Sequence, residues 1–248
     1  MSEPVPIYTM DRFVTATDVD VMRRQKLSSM FCMFQDIAAL HASNLGADVE
    51  WLREEQNLAW ILMRIRVEVD SYPALAQDVC VETWPQDPRA LYERDYIIRD
   101  SGGSALVRAA STWVIMDLGS REIKRDKFLD YFGIETKKDR ALGKEVGRLR
   151  SVKTAECAYE KWIRFSDVDY NVHVNNSKYV DFIMDVFSFE EHTAREIGAI
   201  EVHFNNEIGP GEAMRLRRKK INDDADYIDG VRKTDGASVF NSMVEWRE

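Results

Sequence analysis

Cysteine is scarce, with three in 248 residues. Cys32, Cys80 and Cys157 stand far apart and form no CxxC pair, which argues against a disulfide scaffold or a zinc site. Long apolar runs are also missing. With no stretch of about 18 apolar residues, no membrane-spanning helix is expected. Positive charge is outnumbered: 34 Lys and Arg face 43 Asp and Glu, a formal net charge of −9. Such a chain is a poor partner for nucleic acid, which needs Lys and Arg to neutralise phosphates. The start, MSEPVPIYTMDRF, has neither the basic nor the apolar region of a signal peptide. The expectation is a soluble, cytoplasmic protein.

What is present is a globular composition, 45% hydrophobic and 10% aromatic, enough for a core. The length allows one large domain or two of ordinary size. Charge is uneven. Residues 1–120 hold 11 basic and 18 acidic side chains, 121–153 hold 11 and 6, and 154–248 hold 12 and 19. A basic island therefore separates two acidic halves. It reads either as a solvated linker with a short helix or as a docking surface for an acidic partner.

The halves resemble each other. TDVDVMRRQKLSSMFCMFQD from Thr17 matches SDVDYNVHVNNSKYVDFIMD from Ser166 at an offset of 149. Asp18, Asp20 and Asp36 fall on Asp167, Asp169 and Asp185. Gly103 and Trp113 are spaced like Gly236 and Trp246, and MRIRVEVDSYP parallels IEVHFNNEIGP. Three matches in one order indicate a duplication. The expected organisation is a domain at 1–120, a linker at 121–153 and a second domain at 154–248.

Each half reads as an Asp-containing turn, a helix, then strands. Leu27, Met30, Phe31, Phe34, Ile37 and Ala38 form one apolar helix face, with Ser28 or Ser29 as cap and Gly46 as stop. In the second copy Tyr179, Phe182, Ile183, Val186 and Phe187 follow Asn175 or Asn176 as cap. Beyond the first helix the period becomes two: Ile61, Met63, Ile65, Val67 and Val69 should share one buried face. Further strands are expected near 78–84, 90–100 and 105–117, then 198–207, 212–222, 226–233 and 238–246. This is an α+β layer arrangement, a sheet curling around a helix.

The polar cluster is FSDVDYNVHVNNSKY, from Phe165. In an extended turn the i, i+2, i+4 spacing points Asp169, Asn171 and His173 the same way, at a helix start that favours a developing anion. His173 can move a proton near neutral pH. Asn171, or the backbone N–H groups of Val174 and Asn175, can donate to an oxyanion. An Asx-rich helix cap with an incidental histidine is the alternative. The first copy has Met22 and Arg24 where the second has Asn171 and His173, which suits one catalytic half and one half that shapes the pocket.

DVDYNVHVNNSKYVDF resembles the D-x-N-x-H-V-N-N-x-K-Y stretch of acyl-acyl-carrier-protein thioesterases of plants and bacteria. FQDIAALHASNLG, ETWP, RDYIIRDSGG and STWVIMD extend the resemblance over nearly the whole chain. It implies a tandem (double) hot-dog fold, with a sheet wrapped around a long helix in each half. The implied activity is hydrolysis of the thioester between a fatty acyl chain and acyl carrier protein, with no cofactor and no metal. It places catalytic roles on Asp169, Asn171, His173 and Glu207. Plant members often carry a cysteine after that glutamate. Here Ile208 stands there, so a carboxylate mechanism is favoured over a Cys–His one. The resemblance adds Met30, Met33, Phe34 and Ile37 as candidate acyl-pocket residues. Competing readings are an acyl-CoA thioesterase of the same fold and a non-catalytic acyl-chain-binding protein. Two tandem halves can replace a hot-dog dimer internally, so the expectation is a monomer or a homodimer.

Other residues read as structural. His41 and His203 should be packed, His192 should lie at the surface, and Trp60, Trp84 and Trp113 should be packing residues. In MRLRRKK, Arg215, Arg217 and Lys219 share a strand face. They either solvate a sheet edge or contact the acidic carrier, together with Lys137 and Lys138 of the basic island.

Overall fold

The computed structural model describes residues 3–87, 91–124, 139–143 and 146–247. They fall into two compact units, Met1–Gln25 with Cys32–Val146 and Lys26–Phe31 with Gly147–Glu248. In the first half the elements are β1 (Tyr8–Phe13), α1 (Leu27–Asn44), α2 (Val49–Gln56), β2 (Leu58–Val69), β3 (Asp78–Pro85), β4 (Tyr92–Asp100), β5 (Ala105–Asp117) and β6 (Ile123–Lys124). In the second they are β7 (Glu156–Trp162), a 3₁₀ turn (Phe165–Asp167), α3 (Asn176–Met184), α4 (Phe189–Ala194), β8 (Glu196–Phe204), β9 (Ala213–Asn222), β10 (Ala225–Arg232) and β11 (Ser238–Arg247). The strands expected from the two-residue period are all present.

Strand order repeats the duplication. The first half runs β1-β3-β4-β5-β2, with β6 on β5; the second runs β7-β9-β10-β11-β8. The pairings within each half are antiparallel.

Helix α1 starts at Leu27, so Ser28 and Ser29 lie inside its first turn rather than capping it. Its end follows the glycine. Gly46 takes φ 74°, its N–H donates to Ser43 O, and Ala47 N–H donates to Ala42 O at 2.8 Å. This is a Schellman closure, which the missing Cβ of glycine permits. On the sheet side of α1, Phe34 packs on Tyr96 with ring centroids 4.9 Å apart. Helix α3 is half as long as α1, nine residues. Asn175 caps it, accepting from the N–H and Oγ of Ser177. Tyr179 packs its ring against Phe204 and Phe240.

The expected alternation in β2 breaks. Leu62 is buried instead of Ile61 and Met63, whereas Ile65, Val67 and Val69 are buried as expected. The β2–β5 register shifts between Leu62 and Arg64. An extra residue in one strand reverses which face the side chains point to.

The end of the basic island packs against sheet instead of standing in solvent as a linker. In the first unit, Trp84 Nε1 and Gln86 Nε2 both donate to Asp139 O, and Ala141 N–H donates to buried Asp95. In the second, Asn241 donates to Leu149 O. No helix is present among the described residues of this segment. Lys137 and Lys138, expected to contact the carrier, lie outside the described residues.

Candidate active site

Asp169 to His173 form a tight loop rather than an extended turn. Val168 and Val174 bridge its base. Asp169 N–H donates to His173 O at 2.9 Å, Val172 N–H donates to Asp169 O, and Val172 takes φ 64°. Asp169 Oδ1 accepts from Asn171 N–H at 2.9 Å. This Asx turn tolerates the left-handed residue that closes the loop. One oxygen of Asp169 therefore holds architecture.

The loop presents His173 to Glu207, which follows β8. His173 Nε2 stands 3.4 Å from Glu207 Oε2, and both side chains are about two-fifths exposed, 44% and 41%. Water can thus reach the pair. Buried Tyr179 lies nearby: burial first, then the Glu207 charge, pushes its hydroxyl well above the usual tyrosine range. It stays protonated next to the carboxylate. Asn171 is exposed at the loop tip.

The backbone donors assigned from sequence do not serve as an oxyanion hole in this arrangement. Val174 N–H is directed at Ile208 O, 3.5 Å away, and Asn175 N–H donates to Asp167 O at 3.1 Å. Both close the loop against its neighbours. Ile208 is itself buried, so no thiol position follows Glu207. The three cysteines are free. Cys80 is raised, by burial and then by Asp11, the reverse of an activated thiolate. Among the described residues no group of three or more His, Cys, Asp or Glu is placed to hold a metal ion.

The first half carries the same loop at the same offset. Val19 and Gln25 bridge its base, Asp20 N–H donates to Arg24 O, and Arg23 takes φ 63°. Asp20 Oδ1 accepts from Met22 and Arg24 N–H. Further along, the structural register corrects the sequence alignment by two residues. Gln25 N–H donates to Pro73 O as Val174 N–H points to Ile208 O, and Ala76 (φ 65°) matches Gly211 (φ 82°). Pro73 therefore answers to Ile208 rather than to Pro210, and Tyr72 answers to Glu207. Arg24, the counterpart of His173, lies over the Tyr72 ring at 5.3 Å and pairs with Asp20 at 3.2 Å.

Met30, Met33, Phe34 and Ile37 are all buried, yet none lines the small cavity beside Trp60 and Trp113 in the first unit. That cavity, about 70 Å³, lies on another face of α1, against Ala38, Ala39, Ala42, Trp60, Tyr92 and Trp113. The larger side chains fill their space with core contacts, whereas the alanines leave room. Trp60 and Trp113, read as packing, face this space; Trp84 is packed as expected. His41 is fully buried: its Nδ1 accepts from Arg94 and its Nε2 donates to Val5 O at 2.8 Å. His203 is packed as expected and pairs with Glu201 at 2.8 Å. His192, expected at the surface, is half-buried. It donates to Met184 O and packs on Phe187 and Trp246.

The basic strand face is largely committed. Strand β9 is interior to its sheet, between β10 and β7, so the reading of an edge strand is wrong. Arg217 binds Asp229 and Arg215 binds Glu160. Lys219 is exposed and makes no ion pair among the described residues.

This doubled unit of helix and antiparallel sheet is the double hot-dog fold. An acyl-ACP thioesterase from Bacteroides thetaiotaomicron superposes at a TM-score of 0.90 with 22% identity, over 100% of both chains. The 12:0-ACP thioesterase of Umbellularia californica does so at 0.87 with 20% identity, over 100% of this chain and 99% of that one. The family models for the acyl-ACP thioesterase N-terminal and C-terminal domains match residues 7–127 and 150–248, and the chain belongs to that family. A palmitoyl-acyl carrier protein thioesterase of Arabidopsis thaliana is 27% identical over 84% of this chain and 54% of its own length. An acyl-[acyl-carrier-protein] hydrolase of Cuphea viscosissima is 24% identical over 94% and 61%. The chain thus spans little more than half the length of these curated relatives. No helix among the described residues is long and apolar enough to cross a membrane.

Proposed function

We propose that the chain hydrolyses the thioester of fatty acyl-acyl carrier protein, releasing a free fatty acid and the carrier thiol. The observation that carries this reading is the His173–Glu207 pair, 3.4 Å apart and open to solvent, in a chain of the acyl-ACP thioesterase family. Glu207 takes a proton from water as the water oxygen attacks the thioester carbonyl. Collapse of the tetrahedral intermediate breaks the C–S bond. The proton passes to His173 and on to the departing sulfur. Asn171, at the loop tip, orients the water or donates to the oxyanion. Asp169 positions the other two by holding the loop.

The second half, 154–248, carries the chemistry, and the first, 1–120, shapes the acyl pocket. Among the described residues, Lys219 is the cation of the basic face left available to an acidic carrier. The test is release of free thiol by the purified chain from carrier-bound acyl groups of short to long chain, beside matched acyl-CoA. Turnover of carrier thioesters at higher kcat/KM than CoA thioesters is expected. The opposite order points to an acyl-CoA thioesterase, and no turnover of either to a binding protein.

A further inference from the structure

Glu207 stands outside the strands, in the connection from β8 to β9. Something other than a sheet ladder must therefore hold it opposite His173. Ahead of it, Asn205 and Asn206 N–H both donate to Val239 O, and Asn206 Nδ2 donates to Ser238 O. Behind it, Gly209 N–H donates to Glu212 Oε2 at 2.7 Å. Between these ties the carbonyl of Glu207 itself accepts from Arg232 Nη1 at 3.3 Å. Arg232 ends β10, and its side chain is 21% exposed. The same Nη1 stands 3.7 Å from Glu212 Oε1, and Nε donates to Asp235 Oδ1 at 3.1 Å. A guanidinium and a carboxylate thus close around residues 207–209. Glu212 holds the far end through a backbone N–H. Arg232 holds Glu207 through its carbonyl and is itself steadied by Glu212.

The first half shows what this clamp adds. In the register that sets Tyr72 against Glu207, Ala74 answers to Gly209 and Gln77 to Glu212. Gln77 Oε1 accepts from Ala74 N–H at 2.8 Å, and Gln77 N–H donates to Ala74 O as Glu212 N–H donates to Gly209 O. The turn therefore needs only an amide oxygen at this position, not a charge. Two residues on, Val79 pairs with Asp100 where Met214 pairs with Arg232. The first half thus has an aspartate in place of the arginine, and that aspartate accepts from Gly102 and Ser104 N–H within its own hairpin. The glutamate and the arginine that meets it occur together in the half that carries Glu207. Both are replaced in the half that carries Tyr72. We propose that Arg232, with Glu212 behind it, is a positioning residue for Glu207. It fixes the main chain there so that the carboxylate stays opposite His173. The proposal rests on the reading of that pair as the hydrolytic centre. Because Arg232 acts on where the base stands, its loss falls on the chemical step, where a displacement of about 1 Å can cost ~10²-fold.

The experiment is steady-state hydrolysis of the carrier thioester that the full chain turns over fastest. It compares Arg232→Met, Glu212→Gln and Glu207→Gln singly, and Arg232→Met combined with Glu207→Gln. Arg232→Met should lower kcat roughly tenfold or more, with KM within about twofold. Glu212→Gln keeps an oxygen for Gly209 N–H, as Gln77 does for Ala74, but loses the charge that steadies Arg232. Its kcat should fall between wild type and Arg232→Met, and it takes the place of Arg232→Met in both backgrounds if that variant does not fold. In the Glu207→Gln background, loss of Arg232 should change kcat by less than about twofold, because effects transmitted through one residue do not add. A merely structural arginine would cost the same factor in both backgrounds, and that result overturns the proposal. So does wild-type kcat in Arg232→Met beside an impaired Glu207→Gln. A Glu207→Gln enzyme of wild-type activity removes the reading of the pair, and the proposal with it.

Discussion

Arg217 grips Asp229 with two parallel hydrogen bonds, Nε to Oδ1 at 2.8 Å and Nη2 to Oδ2 at 2.6 Å. Asp229 is 2% exposed and also accepts from the Tyr227 hydroxyl. Removing the guanidinium strands a buried carboxylate. Arg217→Ala should therefore lower unfolding free energy by about 3 kcal/mol, measured by urea denaturation. Lys219→Glu should leave stability within about 0.5 kcal/mol and act on carrier-bound turnover, with loss sensitive to salt. An Arg217→Ala protein of wild-type stability would contradict this division of labour.

His41 makes stability depend on pH. Its imidazole titrates at about 4 in the fold against 6.5 unfolded. Between those values the unfolded chain binds more protons, so stability rises with pH. The contribution is complete above about 6.5 and is lost on acidification to about 4, on the order of 3 kcal/mol in all. Denaturation midpoints across this window should show a shallower slope in His41→Gln than in the wild type.

Glu207→Gln should lower kcat/KM by about 10²-fold or more, the scale of a lost general base. Asp169 should behave differently. Asp169→Asn keeps an oxygen for Asn171 N–H and should retain more activity than Asp169→Ala, which opens the loop. If the two Asp169 variants are equally impaired, the aspartate charge itself is needed in the reaction.

Gly230 tests the second sheet. A Cβ there would stand 2.5 Å from Phe240 Cε1 and 3.0 Å from Met214 Sδ. Phe240 is fully buried and Met214 with it, so neither can retreat freely. Gly230→Ala should cost about 1–3 kcal/mol, read from thermal unfolding.

Elements with a strong period are legible in the sequence: the apolar face of α1, its glycine stop and the strands of both halves. The offset of 149 also brings out the shared loop. What escapes is set by cross-strand partners. The bulge at Met63 depends on where β5 pairs, so local alternation misplaces Ile61 and Met63. Proline looks like an alignment mark, yet backbone hydrogen bonds match Pro73 with Ile208. At the site, Asp169, Asn171 and His173 are legible as a cluster because they are close in the chain. That Val174 and Asn175 spend their N–H groups closing the loop is decided by Ile208 and Asp167.

The loop at Asp20 has a consequence for how this molecule could change. It repeats the two main-chain hydrogen bonds that close the Asp169 loop, but Arg24 over Tyr72 stands where His173 faces Glu207. What both loops retain is the aspartate that accepts backbone N–H groups; what differs is the set of side chains around it. Scaffold and reactivity are thus separable inheritances. Either copy can change its surrounding side chains without refolding, because the turn is held by bonds that do not involve them.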